Sequence, residues 1–434
     1  MWWKKTGWFW KRGLVMVSSL LLSGVMGCGG TDMVSSDCVG EVLAEEEADR
    51  VGEVLAEEEA DRAVESAVGQ EERGYNLPID DDERKEAETD CRKVLDVISG
   101  IYFQARKEEP SDASLDDDTI LALQDVVGAN GRPTTAMVTY ANMENYEEAD
   151  DFLKKCREGR KGSLVIYEVY PDGAVGRLKY TFDGTDMYVL SARAQWTDEE
   201  WSGITYMTRT RIKKWKYTGK GWFCYELCVP EPPEVTEIID GGCILRIKPM
   251  TEECRSLSET CVLGLGYQGN NLLCSDWDED HMEKLDYNGL YEYLYKMKYQ
   301  EPFEGDCYPD GIPQEKFEDL LTAYLPVTAE QLREYAVYNE EKQTYTWASL
   351  GCFTYAPTFF GTSLPEVTDS RKNEDGTVTM TVDAVCDMVL YDDAVITHEL
   401  TVRFADDGSF RYLGNKILRD SGTYIPDYQY RIHR

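Results

Sequence analysis

Residues 276–280 (DWDED) carry alternating carboxylates, a spacing that is typical of calcium-binding loops. Oxygen atoms at these offsets can converge on one hard cation, and the candidate ligands are Asp276, Asp278, Asp280 and Glu283. His281 occupies the position that requires glycine, and Tyr287 stands where a bidentate glutamate belongs. The same acids precede a predicted helix, where they would act as caps and dipole partners without a metal. The sequence favours this second interpretation.

A dense group of cations lies on a predicted strand between residues 204 and 217 and in the turn that follows it. Alternating residues of a strand share one face, and tryptophans lie close by in the sequence. The candidate ligand-binding residues are Arg209, Arg211, Lys213, Trp215 and Trp222. Such a face could bind a polyanion or a sugar phosphate through charge and ring stacking. The alternative, which the excess of acids favours, is a solvated face that pairs with the chain's own carboxylates.

Catalytic motifs are weak in this sequence. It has three histidines and neither a G-x-S-x-G nor an H-E-x-x-H pattern. Residues 264–269 (GLGYQG) fit the dinucleotide-binding glycine pattern, but they follow a predicted helix, so Gly264 is predicted to be its C-cap. Two carboxylates could serve a glycoside hydrolase, yet among 82 acidic residues no pair stands out. We therefore predict no catalytic residue and no cofactor.

The amino-terminal segment has the three parts of an export signal. A cationic stretch with Lys4, Lys5, Lys11 and Arg12 precedes the uncharged residues 14–26, and Gly27-Cys28 follows. Thirteen helical residues would extend roughly 20 Å, which is shorter than the ~30 Å hydrocarbon core. The sequence before Cys28 resembles the lipobox of bacterial lipoproteins, although Val25 stands where leucine is usual. This resemblance implies a signal peptide over 1–27, a diacylglycerol on Cys28 and a position outside the cytoplasm on the cell membrane.

The charge balance excludes some partners. The chain has 45 basic and 82 acidic residues, a formal charge of −37. Nucleic-acid binding relies on neutralising phosphates with lysine and arginine, so nucleic acid is not an expected partner. An anionic lipid surface would also repel the body of the protein. The expected contact with the lipid bilayer is therefore the acyl anchor.

Residues 28–78 are predicted to form an acidic, disordered tether. Its residues 39–50 (VGEVLAEEEADR) are repeated without change at 51–62. A segment so rich in charge and poor in aromatic residues cannot bury enough apolar surface to offset its ordering entropy. The duplication could hold the body away from the lipid or could have no role beyond length.

The rest of the chain predicts two tandem α+β domains, at 79–250 and 251–434. In each, helices are followed by an antiparallel meander, with helices expected on one sheet face. The first has helices over 80–107, 119–127 and 145–157 and then six strands up to residue 247. The second has helices over 251–263, 282–299, 314–324 and 328–335 and then strands over 377–391, 394–404 and 409–418. The pattern is similar to NTF2-like and cystatin-like folds.

Twelve cysteines besides Cys28 are scattered over the chain. An even number in an exported protein permits disulfides, but several fall at apolar positions of predicted elements. Buried thiols are the favoured interpretation for most of them, and a disulfide or two stays open.

Three stretches resemble an uncharacterised family of clostridial-type surface lipoproteins: 328–341 (TAEQLREYAVYNEE), 353–367 (FTYAPTFFGTSLPEV) and 407–417 (DGSFRYLGNKI). The resemblance implies location and architecture and carries no catalytic residue. The expected function is a ligand- or partner-binding module at the cell envelope, with a glycan or an envelope protein as partner. The alternative is an extracytoplasmic, carboxylate-dependent hydrolase that acts on glycan or cell-wall material.

Overall fold

A computed structural model describes residues 72–108, 114–197, 200–350, 363–386, 394–419 and 428–432. The predicted signal peptide, Cys28 and the duplicated acidic segment lie outside these residues. Within them the fold is mixed α+β, with helices and antiparallel sheets in both halves of the chain. The fold class predicted from the sequence is confirmed at this level.

The first half is built around a seven-stranded sheet with the strand order β1 to β7. Strand β1 runs parallel to β2, and every other pair is antiparallel. The elements in chain order are α1 (Asp81–Glu108), α2 (Asp117–Gly128), β1 (Thr134–Ala136), α3 (Tyr146–Arg157), β2 (Gly162–Val169), β3 (Val175–Phe182), β4 (Met187–Thr197), β5 (Glu200–Tyr217), β6 (Trp222–Leu227) and β7 (Gly242–Arg246).

Helices cover both faces of this sheet, whereas the sequence predicted them on one face. Buried residues of α1 and α2 pack on one face with Val169 and Val175. Buried residues of α3 pack on the other face with Ile166 and Tyr180. The strands β2 and β3 therefore bury side chains of both parities, which is possible only when both faces are covered.

Arg177 of β3 joins α1 to the sheet. Its side chain is fully buried, and its guanidinium contacts Glu86 and Asp90 of α1 at 2.9 Å each. Asp80 begins the helix, because its carboxylate accepts the backbone N–H of Glu83 at 2.7 Å. Asp80 thus caps α1, and two acids further along the helix pair with the buried cation.

Residues 72–78, assigned to the tether from the sequence, contact the sheet. The backbone N–H of Leu77 donates to Arg209 at 2.9 Å, and that of Arg211 donates to Gly74 at 2.7 Å. This segment therefore extends along the part of β5 that lies beyond the end of β6, and Leu77 is buried. The packed region begins earlier than residue 79, because the free backbone groups of β5 need partners.

The second half has a five-stranded antiparallel sheet of order β12-β13-β14-β15-β8 and a small sheet of order β10-β11-β9. Its elements are α4 (Glu252–Leu257), a π-helical turn (Ser258–Val262), β8 (Trp277–Asp278), a 3-10 turn (Met282–Lys284), α5 (Tyr287–Tyr299), a second 3-10 turn (Gly305–Cys307), β9 (Ile312–Pro313), α6 (Gln314–Tyr324), α7 (Ala329–Tyr335), β10 (Tyr338–Asn339), β11 (Thr344–Tyr345), β12 (Leu364–Lys372), β13 (Val378–Val385), β14 (Thr397–Phe404) and β15 (Phe410–Leu418).

Besides the short strands β8 to β11, which were not predicted, two features of this half differ from the sequence expectation. The helix predicted over 282–299 is interrupted, because Leu285 is extended and Asp286 caps a new helix. Strand β12 was not predicted at all. It is an edge strand with Pro365 near its start and a polar second half, so it lacks the apolar alternation of a covered strand.

The two halves meet where β6 and β7 approach β12 and β13. Arg246 of β7 forms an ion pair with Glu366 of β12 and lies 4.2 Å from the ring centroid of Trp222. Glu366 is 2% exposed, and burial raises the pKa of its carboxyl while Arg246 lowers it. The hydroxyl of Tyr140 donates to the backbone oxygen of Pro365, which makes a second contact between the halves.

None of the ten cysteines that the structure describes forms a disulfide bond. Eight are buried, Cys274 is half-buried and Cys307 is exposed. Burial raises the pKa of Cys91 and of Cys261 to about 12, so these thiols stay protonated at neutral pH. The favoured interpretation of buried thiols agrees with the structure for these residues.

Candidate functional site

A cavity of about 270 Å³ opens at the amino-terminal end of α5. Three tyrosines line it, namely Tyr287, Tyr335 and Tyr430. Apolar contacts come from Leu285, Val337 and Ile432, and polar ones from Glu283, Asp286 and Asn288. The walls thus come from three separate parts of the chain: residues 283–288, residues 335–337 and the 428–432 segment.

Asp286 shapes the floor of the cavity. One carboxylate oxygen accepts the backbone N–H of Gly289 at 2.9 Å and the other accepts the hydroxyl of Tyr428 at 2.7 Å. A Cβ at Gly289 would lie 2.3 Å from the backbone oxygen of Gly269, so only glycine fits there. Burial, followed by the charge of Asp286, raises the pKa of Tyr428, which keeps this hydroxyl a donor.

Asn288 fixes the second wall against α5. Its amide nitrogen donates to the backbone oxygens of Val337 at 3.3 Å and Thr346 at 2.8 Å. Its side-chain oxygen accepts the backbone N–H of Val337 at 2.8 Å. A single buried amide therefore satisfies three backbone groups at the open end of the β10–β11 hairpin. This places Val337, and Tyr335 just before it, beside the helix.

Arg431 anchors the third wall. The side chain is 7% exposed, and its guanidinium donates to the backbone oxygens of Ala348, Gly269 and Gly289 at 2.9 to 3.0 Å. It also contacts the carboxylate of Glu292 at 2.9 Å. Because Arg431 is held this firmly, its neighbours Tyr430 and Ile432 are placed at the cavity. No periodic pattern in the sequence predicts a role for this segment.

The lining combines carboxylates with aromatic side chains. Each oxygen of Asp286 accepts one hydrogen bond from the chain itself, so this carboxylate holds the walls of the cavity together. Glu283 is exposed at the rim. Aromatic side chains provide large contact areas with little loss of conformational entropy, and each of the three wall segments contributes one tyrosine.

The structure does not bring the four proposed metal ligands together. Asp276 accepts the backbone N–H of Ile417 at 2.7 Å and pairs with Arg419, while Asp278 contacts His281 at 2.6 Å. The two carboxylates point in different directions, because Asp276 binds the backbone of β15 whereas Asp278 binds residues of its own turn. Within the described ranges, no group of three or more His, Cys, Asp or Glu side chains could hold a metal ion. Asp280 and Glu283 remain exposed.

The cationic residues of β5 pair with the chain's own acids. Arg209 contacts Glu83 at 3.1 Å, and Lys213 contacts Glu226 at 3.2 Å and Glu231 at 3.3 Å. Arg211 lies beside the segment that begins at residue 72. The structure therefore supports the interpretation of a self-paired strand face.

The two tryptophans of the proposed patch do not lie beside these cations. Trp215 packs into the core against Phe182 and Phe223. Trp222 is 5% exposed and is covered by Arg246. A bulge in β5 between Ile212 and Lys214 turns Trp215 to the buried face, so the alternation assumed from the sequence does not continue past it.

Gly264 and one of the three histidines, His398, also have structural roles. A Cβ at Gly264 would lie 2.2 Å from Met297, so this glycine allows close packing against α5 and is not a left-handed cap. His398 is fully buried, with its ring nitrogens 2.9 Å from Tyr267 and 2.5 Å from Asn415. Burial lowers the pKa of His398 to about 4, so the ring is neutral at pH 7.

Glu168 of β2 is a buried carboxyl that sequence reasoning missed. Its side chain is fully buried, and one oxygen accepts the hydroxyl of Tyr170 at 2.8 Å. The other oxygen has no hydrogen-bond partner among the described residues. Burial raises its pKa from 4.5 to about 7, against the opposing effect of the Tyr170 hydrogen bond. This residue is not part of the cavity lining.

Comparison with known proteins identifies a family but no function. Residues 84–431 match the family of unknown function DUF6070. No curated protein and no solved structure matches the chain. Among the helices that the structure describes, none is long and apolar enough to cross a bilayer. Since the match covers most of the chain, this protein belongs to DUF6070, a family of unknown function.

Proposed function

We propose that this protein is a bacterial lipoprotein whose DUF6070 region works outside the cytoplasm as a ligand- or partner-binding module. A diacylglycerol on Cys28 would hold it to the cell membrane, and residues 28–71 would separate the body from the lipid. The cationic and apolar segments before Cys28 support the anchor. Two acyl chains at ~0.8 kcal/mol per buried CH₂ would make the attachment stable.

The cavity at the start of α5 is the observation that carries the binding function. Its walls are held by Asn288 and Arg431, which are both buried and bonded to several backbone groups. A cavity that is already formed needs no ordering of its walls when a ligand enters, which favours affinity. A glycan or a side chain of an envelope protein would fit the proposed location.

A carboxylate-dependent hydrolase is the second candidate, because Glu283 and Asp286 both line the cavity. A hydrolase needs one carboxyl to donate a proton and another to act as base or nucleophile. The hydrogen bonds of Asp286 argue against that role. Incubation with cell-wall polysaccharide should release no reducing ends. If reducing ends are released and the Glu283→Gln substitution abolishes that release, the hydrolase is favoured instead.

We also propose that residues 79–250 and 251–434 are tandem domains of NTF2-like or cystatin-like pattern. Separate sheets and separate buried clusters in the two halves support this division. Tyr140 and Met250 come from the first half of the chain but pack into the buried hydrophobic cluster of the second half, which supports close contact between the domains.

Replacing Cys28 with serine should move the protein out of the membrane fraction, since serine cannot accept the lipid through a thioether. The measurement is detergent partitioning of membranes from cells that express the full chain. Cys38→Ser, ten residues further along the chain, is the matched control and should stay in the detergent phase. Equal partitioning of the Cys28→Ser protein and the wild type would contradict the anchor.

A further inference from the structure

The cavity at the start of α5 has a negative lining. Glu283 and Asp286 contribute carboxylates, and no lysine, arginine or histidine is among the lining residues described. The side chain of Glu283 makes no hydrogen bond or ion pair with the rest of the described chain. The formal charge of −37 adds a long-range potential of the same sign. An anionic ligand such as a phosphate would be repelled here.

The amino-terminus of α5 does not make the cavity attractive to anions. A helix amino-terminus ordinarily attracts anions, because its first backbone N–H groups are unsatisfied. In this helix the carboxylate of Asp286 already accepts the N–H of Gly289 and balances the dipole. The positive end of the helix is therefore occupied by an acid of the chain itself.

The tyrosine walls favour a cation as well. The rings of Tyr287 and Tyr335 are stacked with their centroids 6.5 Å apart, and Tyr430 is 41% exposed at the opening. The faces of aromatic rings carry negative charge density and attract ammonium and guanidinium groups. Leu285, Val337 and Ile432 add apolar surface for the carbon atoms that carry such a group.

We propose that this cavity binds an organic cation, namely an amine or quaternary ammonium group on a short aliphatic stem. The inference rests on the proposed function, since it names the ligand class of the same cavity. The volume of about 270 Å³ lies just below the ~300–1,000 Å³ of pockets for drug-sized ligands. The cavity therefore takes one small cation or one cationic side chain of a larger partner.

The test compares choline with its neutral isostere 3,3-dimethylbutan-1-ol by saturation-transfer NMR, using the full chain in an uncharged detergent. Choline should bind at least about tenfold more tightly than the isostere, and its affinity should fall as salt is added. Glu283→Gln should weaken choline binding about fivefold, whereas Glu279→Gln, an exposed acid outside the cavity, should leave it unchanged. Tyr430→Leu should weaken choline binding more than Glu283→Gln does, because it removes an aromatic ring, and Tyr430→Phe should retain the binding.

The two probes could bind with equal affinity, and both could lose binding in the Tyr430→Leu protein. This result would overturn the choice of a cation but would leave ligand binding by the cavity intact. Failure of both probes to bind would overturn the inference and remove the support for cavity binding, but it would not affect the anchor. If neither Glu283→Gln nor Tyr430→Leu changes choline binding, the cation binds elsewhere on the protein. This result also overturns the inference. Both substituted side chains are exposed, so neither change should prevent folding.

Discussion

Replacing Glu168 with glutamine should raise the free energy of unfolding at pH 8 by about 3 kcal/mol. Burial raises the pKa of this carboxyl from 4.5 to about 7, and each pKa unit corresponds to ~1.4 kcal/mol between the two protonation states. Above pH 7 the folded protein must carry a buried charge with one oxygen unpartnered. Glutamine keeps the acceptor for Tyr170 and removes that charge.

The sign of the pH dependence follows from proton linkage. Between pH 4.5 and 7 the folded protein holds a proton on Glu168 that the unfolded chain releases, so stability falls as pH rises through this window. His398 acts in the opposite direction. Its pKa falls from 6.5 to about 4 on burial, so stability falls as pH drops through that range. In the wild type the two effects oppose each other between pH 4.5 and 6.5. In the Glu168→Gln protein only the His398 effect remains, so the free energy of unfolding should rise as the pH is raised from 4 to 6.5.

Chemical denaturation from pH 4 to pH 8 measures this difference. At pH 4 the Glu168→Gln protein and the wild type should have nearly equal free energies of unfolding, because Glu168 is then neutral. The control is Glu88→Gln on the exposed side of α1, which should change stability little at any pH. If the Glu168→Gln and wild-type curves stay parallel over the whole range, Glu168 is not buried as a charged group.

Replacing Arg246 with methionine should lower the free energy of unfolding by about 3 to 5 kcal/mol. The change leaves the carboxylate of Glu366, which is 2% exposed, without its ion-pair partner at the contact between the two halves. A buried charge that loses its partner typically costs this much. The stacking of the guanidinium on Trp222 is lost as well.

The double variant Arg246→Met, Glu366→Gln separates these contributions. Removing both charges should restore most of the lost stability, because no uncompensated carboxylate then remains buried. Lys214→Met, which removes an exposed cation paired with Glu226, is the matched control and should cost less than about 1 kcal/mol. A loss of less than 1 kcal/mol for Arg246→Met would mean that Glu366 is solvated and that the contact between the halves is loose.

The fold could be predicted from the sequence wherever local signals were strong. Asp-Gly pairs mark the hairpin turns, and Gly173, Gly184, Gly376 and Gly408 all adopt the positive φ angles that these turns require. Five apolar residues recur at helical spacing in the sequence of α1, and all five are buried on one face of the helix: Ala87, Cys91, Val94, Leu95 and Ile98. Strand β12 could not be found this way, because its backbone pairs with β13 while most of its second half stays polar.

The candidate site could not be predicted, because it depends on contacts between distant segments. Tyr335 and Val337 lie in the stretch 328–341 that resembles surface lipoproteins, yet nothing in that stretch indicates that Asn288 binds it. The signals that were visible, alternating carboxylates at 276–280 and cations on β5, serve local ion pairs and turns. Composition identified charged clusters but did not show which of them the chain itself would neutralise.

The mass of the amino-terminal peptide of the protein purified from its own membranes tests the central claim most directly. We predict that this peptide begins at Cys28 and carries a diacylglycerol on the cysteine sulfur. A peptide that joins Gly27 to Cys28, or a Cys28 that bears an unmodified thiol, would contradict the account.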